Sequence, residues 1–229
     1  MRAGDLSIVV PAHNAAATLG TTVASALQAD GLLEIVVVDD GSTDDTLAQA
    51  NRLAASLAES GRPLLRVLAQ AQAGPSEARN HGVARAQGPL LAFLDADDIW
   101  LAGRPDSRRG ALGAGAAIAL GLIQHFAGDP AEPAGEPFEG LQVGAALVPR
   151  DVFELVGPFE PAMRLGEDVD WFLRAREAGV PLVFTSEVVL AYQTHAGSLS
   201  ARRAARGHGL LDALHRSVGR RSSPQGSGA

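Results

Sequence analysis

The stretch LLAFLDADDIW, residues Leu90–Trp100, combines an apolar run with a cluster of carboxylates at its end. The run Leu90–Leu94 is short and continuous, which is typical of a β-strand covered on both faces of a sheet. Asp95, Asp97 and Asp98 follow at once. Carboxylates this close together repel one another, so the arrangement calls for a positive charge nearby.

Similar apolar runs occur earlier in the chain, and helical patterns separate them. Three of the runs predict further buried strands: Leu6–Val10, Leu33–Val38 and Leu64–Leu68. Apolar residues between them recur at helical spacing, and a predicted helix over Ser76–Ala86 precedes the strand Leu90–Leu94. Strands that alternate with helices of this length predict an α/β fold, with a mostly parallel sheet and helices on both faces.

Polar segments follow three of these predicted strands. They are Pro11–Asn14, Asp39–Ser42 and Asp95–Asp98. Because ligands of parallel sheets bind at the carboxyl ends of the strands, we expect the three segments to gather on one rim. PAHN stands after the first strand in place of the glycine pattern GxGxxG, which excludes a standard dinucleotide site.

The second half of the chain has a less regular pattern of strands, helices and a polar loop. In chain order we predict the strand Ala116–Gln124, the loop Ala127–Gly140, the strand Ala145–Val148, the helices Asp151–Val156 and Asp168–Ala178, and the strands Pro181–Phe184 and Val188–Tyr192. From Ala201 onward the chain is rich in Arg and ends in SSPQGSGA, which predicts a basic helix and a disordered tail.

Composition restricts the classes of function. The chain has 229 residues, of which 46% are hydrophobic, and this suits one globular domain with a sizeable core. Cysteine is absent, which excludes disulfides and thiolate chemistry, and the net charge of −7 argues against nucleic acid as a partner. All 19 basic residues are Arg, so a Walker-type phosphate loop is excluded. Apolar stretches are too short for a signal peptide or a membrane span, so we expect a cytoplasmic protein.

The triplet Asp95-Ala96-Asp97 is a candidate site for a divalent cation. Taken alone, it would equally suit a solvated turn or a helix cap. A hard cation such as Mg²⁺ or Mn²⁺ accepts carboxylate oxygens and keeps water or substrate phosphate as its other ligands. Such a cation would neutralise the repulsion within the cluster.

Two other acidic groups have both structural and functional interpretations. Asp39 and Asp40 would serve as helix caps, or would accept hydrogen bonds from a nucleobase or a ribose hydroxyl. Glu167, Asp168 and Asp170 would stabilise the start of a helix, or one of them would act as a general base. Helical spacing predicts that Glu167 and Asp170 share a face, with Asp168 turned away by about 100°.

Six stretches, in order, resemble family 2 glycosyltransferases of the GT-A fold. They are SIVVPAHNAAATL, EIVVVDDGSTDDT, GPSEARNHGVARAQG, LLAFLDADDIW, ALVPRDVFELVGPFEPAMRLGEDVDWFLRAREAG and YQTHAGSLS. The resemblance implies a GT-A type, Rossmann-like catalytic domain over residues 1–200, with residues 201–229 as the basic C-terminal helix and disordered tail. It also implies inverting transfer of a sugar from a nucleoside-diphosphate donor to an acceptor hydroxyl.

The resemblance implies a role for each matched residue. The residues similar to those that contact the nucleotide or donor are Pro11, Asn14, Asp39, Asp40, Arg79, Asp95 and Ala96. Among them, Asp40 resembles the acid that contacts the base. Asp97 matches the ligand of Mg²⁺ or Mn²⁺ on the diphosphate, and His195 stands where many members have a His near the metal. Asp168 matches the catalytic base.

Two other functions remain open, a nucleotidyltransferase and a non-catalytic protein that binds nucleotide-sugars. The expected partners of a transferase are a UDP- or GDP-type sugar donor and a carbohydrate, lipid-linked or other hydroxyl acceptor. Basic and apolar residues alternate in the tail, among them Arg216, Leu210, Leu211 and Leu214. This pattern predicts peripheral membrane contact or, alternatively, a helix packed on the domain.

Overall fold

Eight strands form one sheet in the part of the chain that the structure describes. The structure is a computed structural model, and it describes residues 4–61, 64–101, 106–115, 117–126, 132–163, 165–193 and 208–222. The strands are β1 (Leu6–Ala12), β2 (Leu32–Asp40), β3 (Leu64–Gln70), β4 (Leu90–Phe93), β5 (Ile99–Trp100), β6 (Ile118–Phe126), β7 (Ala146–Pro149) and β8 (Leu182–Gln193). Their order across the sheet is β3-β2-β1-β4-β7-β6-β8-β5.

Seven helices accompany the sheet within the same described residues. They are α1 (Leu19–Ala26), α2 (Thr46–Glu59), α3 (Pro75–Arg85), α4 (Ser107–Gly113), α5 (Arg150–Val156), α6 (Glu167–Glu177) and α7 (His208–Ser222). A 3-10 turn over Val143–Ala145 precedes β7. The 3-10 turn contributes to the functional site described below.

The first four strands of the chain pair in parallel and form the predicted buried half of the sheet. Val9 of β1 lies opposite Val36 of β2 and Phe93 of β4. Every residue of β1 is buried, because helices cover both faces of the strand. The predicted α/β architecture with helices on both faces is therefore confirmed.

The two faces of β1 pack against different helices. Ile8 and Val10 contribute to one core with Leu19 of α1 and Ala50 of α2. On the opposite face, Val9 belongs to a second core, which includes Phe93, Phe159 and Trp171. Helix α3 lies very close to this face, because a Cβ at Gly82 would stand 2.3 Å from Cγ1 of Val9. This close packing of α3 brings its polar residues over the ends of β1 and β4.

The second half of the sheet contains the antiparallel strands. Strand β7 is antiparallel to β4 and β6, and β5 is antiparallel to β8, whereas β6 and β8 are parallel. Four of the seven pairings between the described strands are therefore parallel, three in the first half and one in the second. Since β6 and β8 run in the same direction as β4, their carboxyl ends lie on the rim that holds Asp95–Asp98.

One prediction for the second half differs from the structure. The predicted strands Pro181–Phe184 and Val188–Tyr192 are one strand, β8, in which the register against β6 shifts between Phe184 and Val188. The Thr185 hydroxyl donates to the Leu120 carbonyl at 3.2 Å and keeps the strand continuous. The described residues 132–140 of the predicted loop Ala127–Gly140 form no helix or strand and are mostly exposed, as predicted, and Phe138 ties them to β6 through two backbone hydrogen bonds with Ile123.

Helix α7 packs on α6. Ala213 and Ser217 of α7 are buried, and the Arg220 Nη1 donates to Asp170 Oδ1 at 2.8 Å. Residues 201–207 and 223–229 lie outside the described residues, so the predicted disordered tail does too. Of the helices described, none combines the length and the apolar character needed to cross a membrane.

Candidate active site

The loops after β1 and β2 are tied together by Asn14. Its side-chain carbonyl accepts from the Thr43 N–H at 2.8 Å, and its backbone N–H donates to the Ser42 hydroxyl at 3.0 Å. Asn14 has a φ of +51°, a left-handed conformation that Asn tolerates better than most residues. Pro11 is buried at the end of β1, opposite Val38. The two predicted nucleotide-binding loops therefore form one surface.

His13 joins this surface to the loop after β3. Its Nδ1 lies 2.9 Å from the Asp40 carbonyl oxygen, so Nδ1 carries the proton and donates. Its Nε2 lies 3.1 Å from the Gln72 side-chain amide nitrogen and accepts from it. With the proton on Nδ1, His13 therefore contacts the backbone of Asp40 and the side chain of Gln72.

The carboxylate of Asp40 is fully used within the protein. Oδ1 accepts from the Gln70 side chain at 2.9 Å and from the Ala73 N–H at 2.8 Å, and Oδ2 accepts from the Gly74 N–H at 2.8 Å. Asp40 is only 4% exposed. These hydrogen bonds hold the loop that leads into α3, so both carboxylate oxygens of Asp40 already have partners within the protein.

In Asp39, by contrast with Asp40, only one of the two carboxylate oxygens accepts a hydrogen bond from the described residues. Its Oδ2 accepts from the Ser42 N–H at 3.3 Å, whereas its Oδ1 is buried and has no hydrogen-bond partner among the described residues. A buried polar atom without a partner costs about 1–3 kcal/mol, more when it is charged. An N–H donor of a ligand at this position would remove that cost.

The turn after β4 brings the predicted metal-binding residues together. The Asp98 N–H donates to the Asp95 carbonyl at 3.0 Å, and the Thr22 hydroxyl of α1 lies 2.9 Å from the carbonyl oxygens of both Ala96 and Asp98. Asp95 and Asp97 are half-buried. Thr22 therefore supports this turn from α1, a role that no local sequence pattern indicated.

Asp98 is the buried member of the cluster. Its Oδ1 accepts from the backbone N–H of Gln193, at the end of β8, at 2.9 Å. Burial and the neighbouring charges of Asp95 and Asp97 raise the pKa of Asp98 well above its ordinary value. Asp98 therefore anchors the turn to β8.

Arg79 supplies the positive charge that the acidic cluster requires. Its Nη2 lies 2.7 Å from Asp95, and its Nη1 lies 3.1 Å from Glu167 and 3.5 Å from Asp168. Burial lowers the pKa of Arg79, but the charges of Asp95, Asp168 and Glu167 outweigh burial and raise it above its ordinary value. The resemblance predicts that Arg79 lines the nucleotide pocket, and in the structure its guanidinium group contacts carboxylates of the turn after β4 and of α6.

Asp168 stands in the first turn of α6, next to the 3-10 turn. Gly166, with a φ of +79°, directs the chain into the helix, and Oδ2 of Asp168 accepts from the Val143 N–H at 3.2 Å. About 12% of the Asp168 side chain is exposed. The carboxylate is therefore held from one side by a backbone donor and from the other by Arg79.

Asp170 is turned away from this cluster. It is 2% exposed and accepts from Arg174 at 3.0 Å and from Arg220 at 2.8 Å. The expectation that Glu167 and Asp170 would share a face is wrong at the level of the side chains, because Glu167 and Asp168 both contact Arg79. Asp170 serves to join α6 to α7.

A divalent cation fits the donor chemistry of the turn after β4. Within the described ranges, no group of three or more His, Asp or Glu side chains is arranged to hold a metal ion. A cation held through Asp97 would therefore take most of its ligands from water or from substrate phosphate, as Mg²⁺ usually does. His195, the second predicted ligand, lies outside the described residues.

An open cleft of about 460 Å³ lies beside α3, lined by Gln70, Ala71, Ala73, Glu77, Asn80 and His81. It adjoins the residues that hold Asp40, but none of the Arg79-centred carboxylates lines it. His81 donates from Nδ1 to the Gln70 side-chain oxygen at 2.9 Å and so supports Asp40 indirectly. Concave shape alone would therefore not have located the acidic rim.

The sheet has the GT-A fold, which is found in solved glycosyltransferases. The mannosyltransferase PcManGT from Pyrobaculum calidifontis, solved with GDP-Man and Mn²⁺, superposes with a TM-score of 0.72 and 18% identity over 93% of this chain and 64% of its own. S. aureus TarS, solved with UDP-GlcNAc, superposes with a TM-score of 0.68 and 17% identity over 93% and 65% of the two chains. At these identities the likeness shows a common fold.

The chain belongs to glycosyl transferase family 2, whose sequence pattern matches residues 7–135. The succinoglycan biosynthesis protein ExoU of Rhizobium meliloti is 33% identical over 202 residues, which cover 76% of this chain and 58% of that protein. The glycosyltransferase AglE of Haloferax volcanii is 29% identical over 208 residues, covering 80% and 65%. The chain thus spans less than two thirds of either relative.

Proposed function

We propose that the protein transfers a sugar from a nucleoside-diphosphate donor to an acceptor hydroxyl, with inversion at the anomeric carbon. The observation that carries this proposal is the buried Arg79, which joins the acidic turn after β4 to Asp168 of α6. Donor phosphates bound at that turn would lie beside a carboxylate suited to accept a proton. Family membership and the GT-A fold support the same reaction.

On the donor side, we assign the nucleobase contact to Asp39 rather than to Asp40. Oδ1 of Asp39 has no partner among the described residues, whereas both oxygens of Asp40 hold the loop before α3. The surface formed by Pro11 and Asn14 would cover the base. Asp95, next to Ala96, would accept from the ribose hydroxyls. The known complexes of PcManGT with GDP-Man and of TarS with UDP-GlcNAc support a GDP- or UDP-type donor.

Asp97 is the residue proposed to hold Mg²⁺ or Mn²⁺, with His195 as a second candidate. When bound, such an ion would act as a Lewis acid on the diphosphate leaving group. Asp95 pairs with Arg79 at 2.7 Å, and Asp97 is the carboxylate of the triplet that matches the metal ligand of the family. Mn²⁺ in the PcManGT complex supports a divalent ion at this site.

Asp168 is the proposed general base. It would take the proton from the acceptor hydroxyl as that oxygen attacks the anomeric carbon from the face opposite to the leaving group. Arg79 and the Val143 N–H contact this carboxylate, at 3.5 Å and 3.2 Å, and hold it in place. A general base contributes typically about 10²–10⁴-fold to such a rate. One displacement needs no covalent sugar–enzyme intermediate.

The test is a thermal-shift panel of nucleotide-sugars, with and without Mn²⁺, on the wild type and on Asp97→Ala. A donor at 100 times its dissociation constant should stabilise the wild type by about 2.7 kcal/mol. We expect that stabilisation to require Mn²⁺ and to be lost in Asp97→Ala. Equal, metal-independent binding by both proteins would contradict the metal role. Binding without any sugar transfer to acceptors or water would favour a non-catalytic nucleotide-sugar-binding protein.

We also propose that α7 mediates peripheral contact with a membrane, from a cytoplasmic location. Leu210, Leu211 and Leu214 are 40–56% exposed on this helix. Because Arg220 is paired with Asp170 and Glu177, the apolar row would contribute most of the affinity. Co-sedimentation with phosphatidylglycerol vesicles should be lost when the three Leu residues are changed to Gln. If the wild type stays in the supernatant at low salt, the contact does not occur.

A further inference from the structure

Trp100 follows the acidic turn, and its side chain contacts the 3-10 turn that holds the proposed base, Asp168. Its indole N–H donates to the Gly144 carbonyl at 2.8 Å, and its backbone N–H is held by the Ser25 hydroxyl of α1 at 3.1 Å. Gly144 is the middle residue of the 3-10 turn, and the first residue of that turn, Val143, donates its N–H to Asp168. One side chain thus connects the metal-binding turn to the group that orients Asp168.

Arg108 also holds the 3-10 turn through a hydrogen bond to its backbone. It is fully buried, and its Nη1 donates to the Ala145 carbonyl at 3.2 Å, one residue beyond the carbonyl that Trp100 holds. Its guanidinium group lies 4.6 Å from the centre of the Trp100 ring and pairs with Asp106 at 2.7 Å. The two side chains therefore fix each other as well as two consecutive carbonyl groups.

We propose that Trp100 and Arg108 are positioning residues for the base Asp168. They fix the 3-10 turn, so that the Val143 N–H holds Oδ2 of Asp168. The orientation of the second oxygen, Oδ1, is thereby defined as well. Neither side chain needs to touch substrate to act in this way. The inference rests on the proposed function, because it takes Asp168 as the base.

The chain provides a matched control for the indole hydrogen bond. Of its two Trp residues, Trp171 likewise donates its indole N–H to a glycine carbonyl, that of Gly157, at 2.8 Å. It lies in the core on the other side of the sheet from Trp100. Trp100→Phe and Trp171→Phe each retain an aromatic ring and remove one indole donor, so they differ in which backbone segment is released.

The first measurement is amide hydrogen exchange at Val143, which requires no substrate. A hydrogen-bonded amide exchanges through local opening, so a loosened turn exchanges faster. Trp100→Phe should accelerate exchange of Val143 at least tenfold, with a twofold change or less in Trp171→Phe. Arg108→Lys, which keeps a cation for Asp106 and shortens the reach to Ala145, should give the same direction of change. Unchanged exchange in both Trp100→Phe and Arg108→Lys overturns the proposal.

The second measurement is hydrolysis of the nucleotide-sugar that the thermal-shift panel selects, together with its dissociation constant. A misplacement of about 1 Å is enough to lower turnover about 100-fold, so Trp100→Phe should lower kcat about 10- to 100-fold at unchanged donor affinity. Asp168→Asn should be as slow or slower. If Asp168→Asn is slow and Trp100→Phe is not, the positioning role is wrong although the base is right. If exchange changes and neither variant is slow, Asp168 is not the base and both proposals fail.

Discussion

Arg79→Gln tests whether one buried cation holds the acidic rim together. Arg79 is 2% exposed and lies 2.7 Å from Asp95, 3.1 Å from Glu167 and 3.5 Å from Asp168. Glutamine keeps part of the volume and removes the charge. These three carboxylates would then face one another without the guanidinium group of α3 between them.

The size of the expected loss follows from the exposure of the three partners. The Asp95 side chain is 41% exposed, so its pair with Arg79 is screened and contributes at most about 1 kcal/mol. The side chains of Glu167 and Asp168 are 6% and 12% exposed, so removal of Arg79 leaves buried charge uncompensated. Such a change costs about 3–5 kcal/mol, and we expect the free energy of unfolding to fall by that amount at pH 7.

The assay is urea denaturation followed by tryptophan fluorescence, at pH 7 and at pH 5. Protonation of a carboxylate relieves the repulsion in the variant, so its deficit relative to the wild type should shrink as the pH is lowered. Arg176→Gln, on the exposed face of α6, is the control and should change stability by less than about 0.5 kcal/mol. A loss below about 1 kcal/mol for Arg79→Gln, or a deficit that grows in acid, would refute the reasoning.

The other predictions concern the proposed base, the support of the acidic turn after β4 and the docking of α7. Asp168→Asn should keep donor affinity and lose about 10²–10⁴-fold in transfer, measured as nucleoside diphosphate released; near wild-type transfer would remove Asp168 from the reaction. Thr22→Val should weaken Mn²⁺-dependent binding of the nucleoside diphosphate in calorimetry, because the hydroxyl that holds the turn is lost, whereas Thr21→Val, on the exposed side of α1, should not. Burial raises the pKa of Glu177, but hydrogen bonds from Arg220 and Ser217 outweigh it and the net pKa lies below the ordinary 4.5. The docking of α7 should therefore be fully stabilised above about pH 4.5 and loosen as the pH falls through the lowered pKa, seen as faster amide exchange in α7; Glu177→Gln should abolish that dependence.

Much of the architecture could be derived from the amino-acid sequence, because it depends on local patterns. Short, mainly apolar runs such as Leu6–Val10 and Leu90–Leu94 identify strands that are buried on both faces, and the polar residues that follow them identify the rim. The pattern was weaker where the pairing was irregular. The register shift within β8 interrupts the alternation of apolar residues, so one strand was predicted as two.

The roles of the polar side chains were decided by the tertiary structure. Asp39 and Asp40 are neighbours in one strand, and alternation sends their carboxylates to opposite faces. Only the loop before α3, more than 30 residues further on, determines that Asp40 is engaged and Asp39 Oδ1 is not. Arg79 likewise meets its partner Glu167 across 88 residues of chain.

The acidic start of α6 shows the same division between sequence and structure. The sequence by itself determined that Glu167, Asp168 and Asp170 stand in the first turn of a helix. It could not determine that Arg220, 50 residues away, pairs with Asp170, or that the Val143 N–H donates a hydrogen bond to Asp168. Local periodicity specifies which face of a helix a residue occupies, but the orientation of a buried charge depends on which distant cation or N–H donor the fold brings to it.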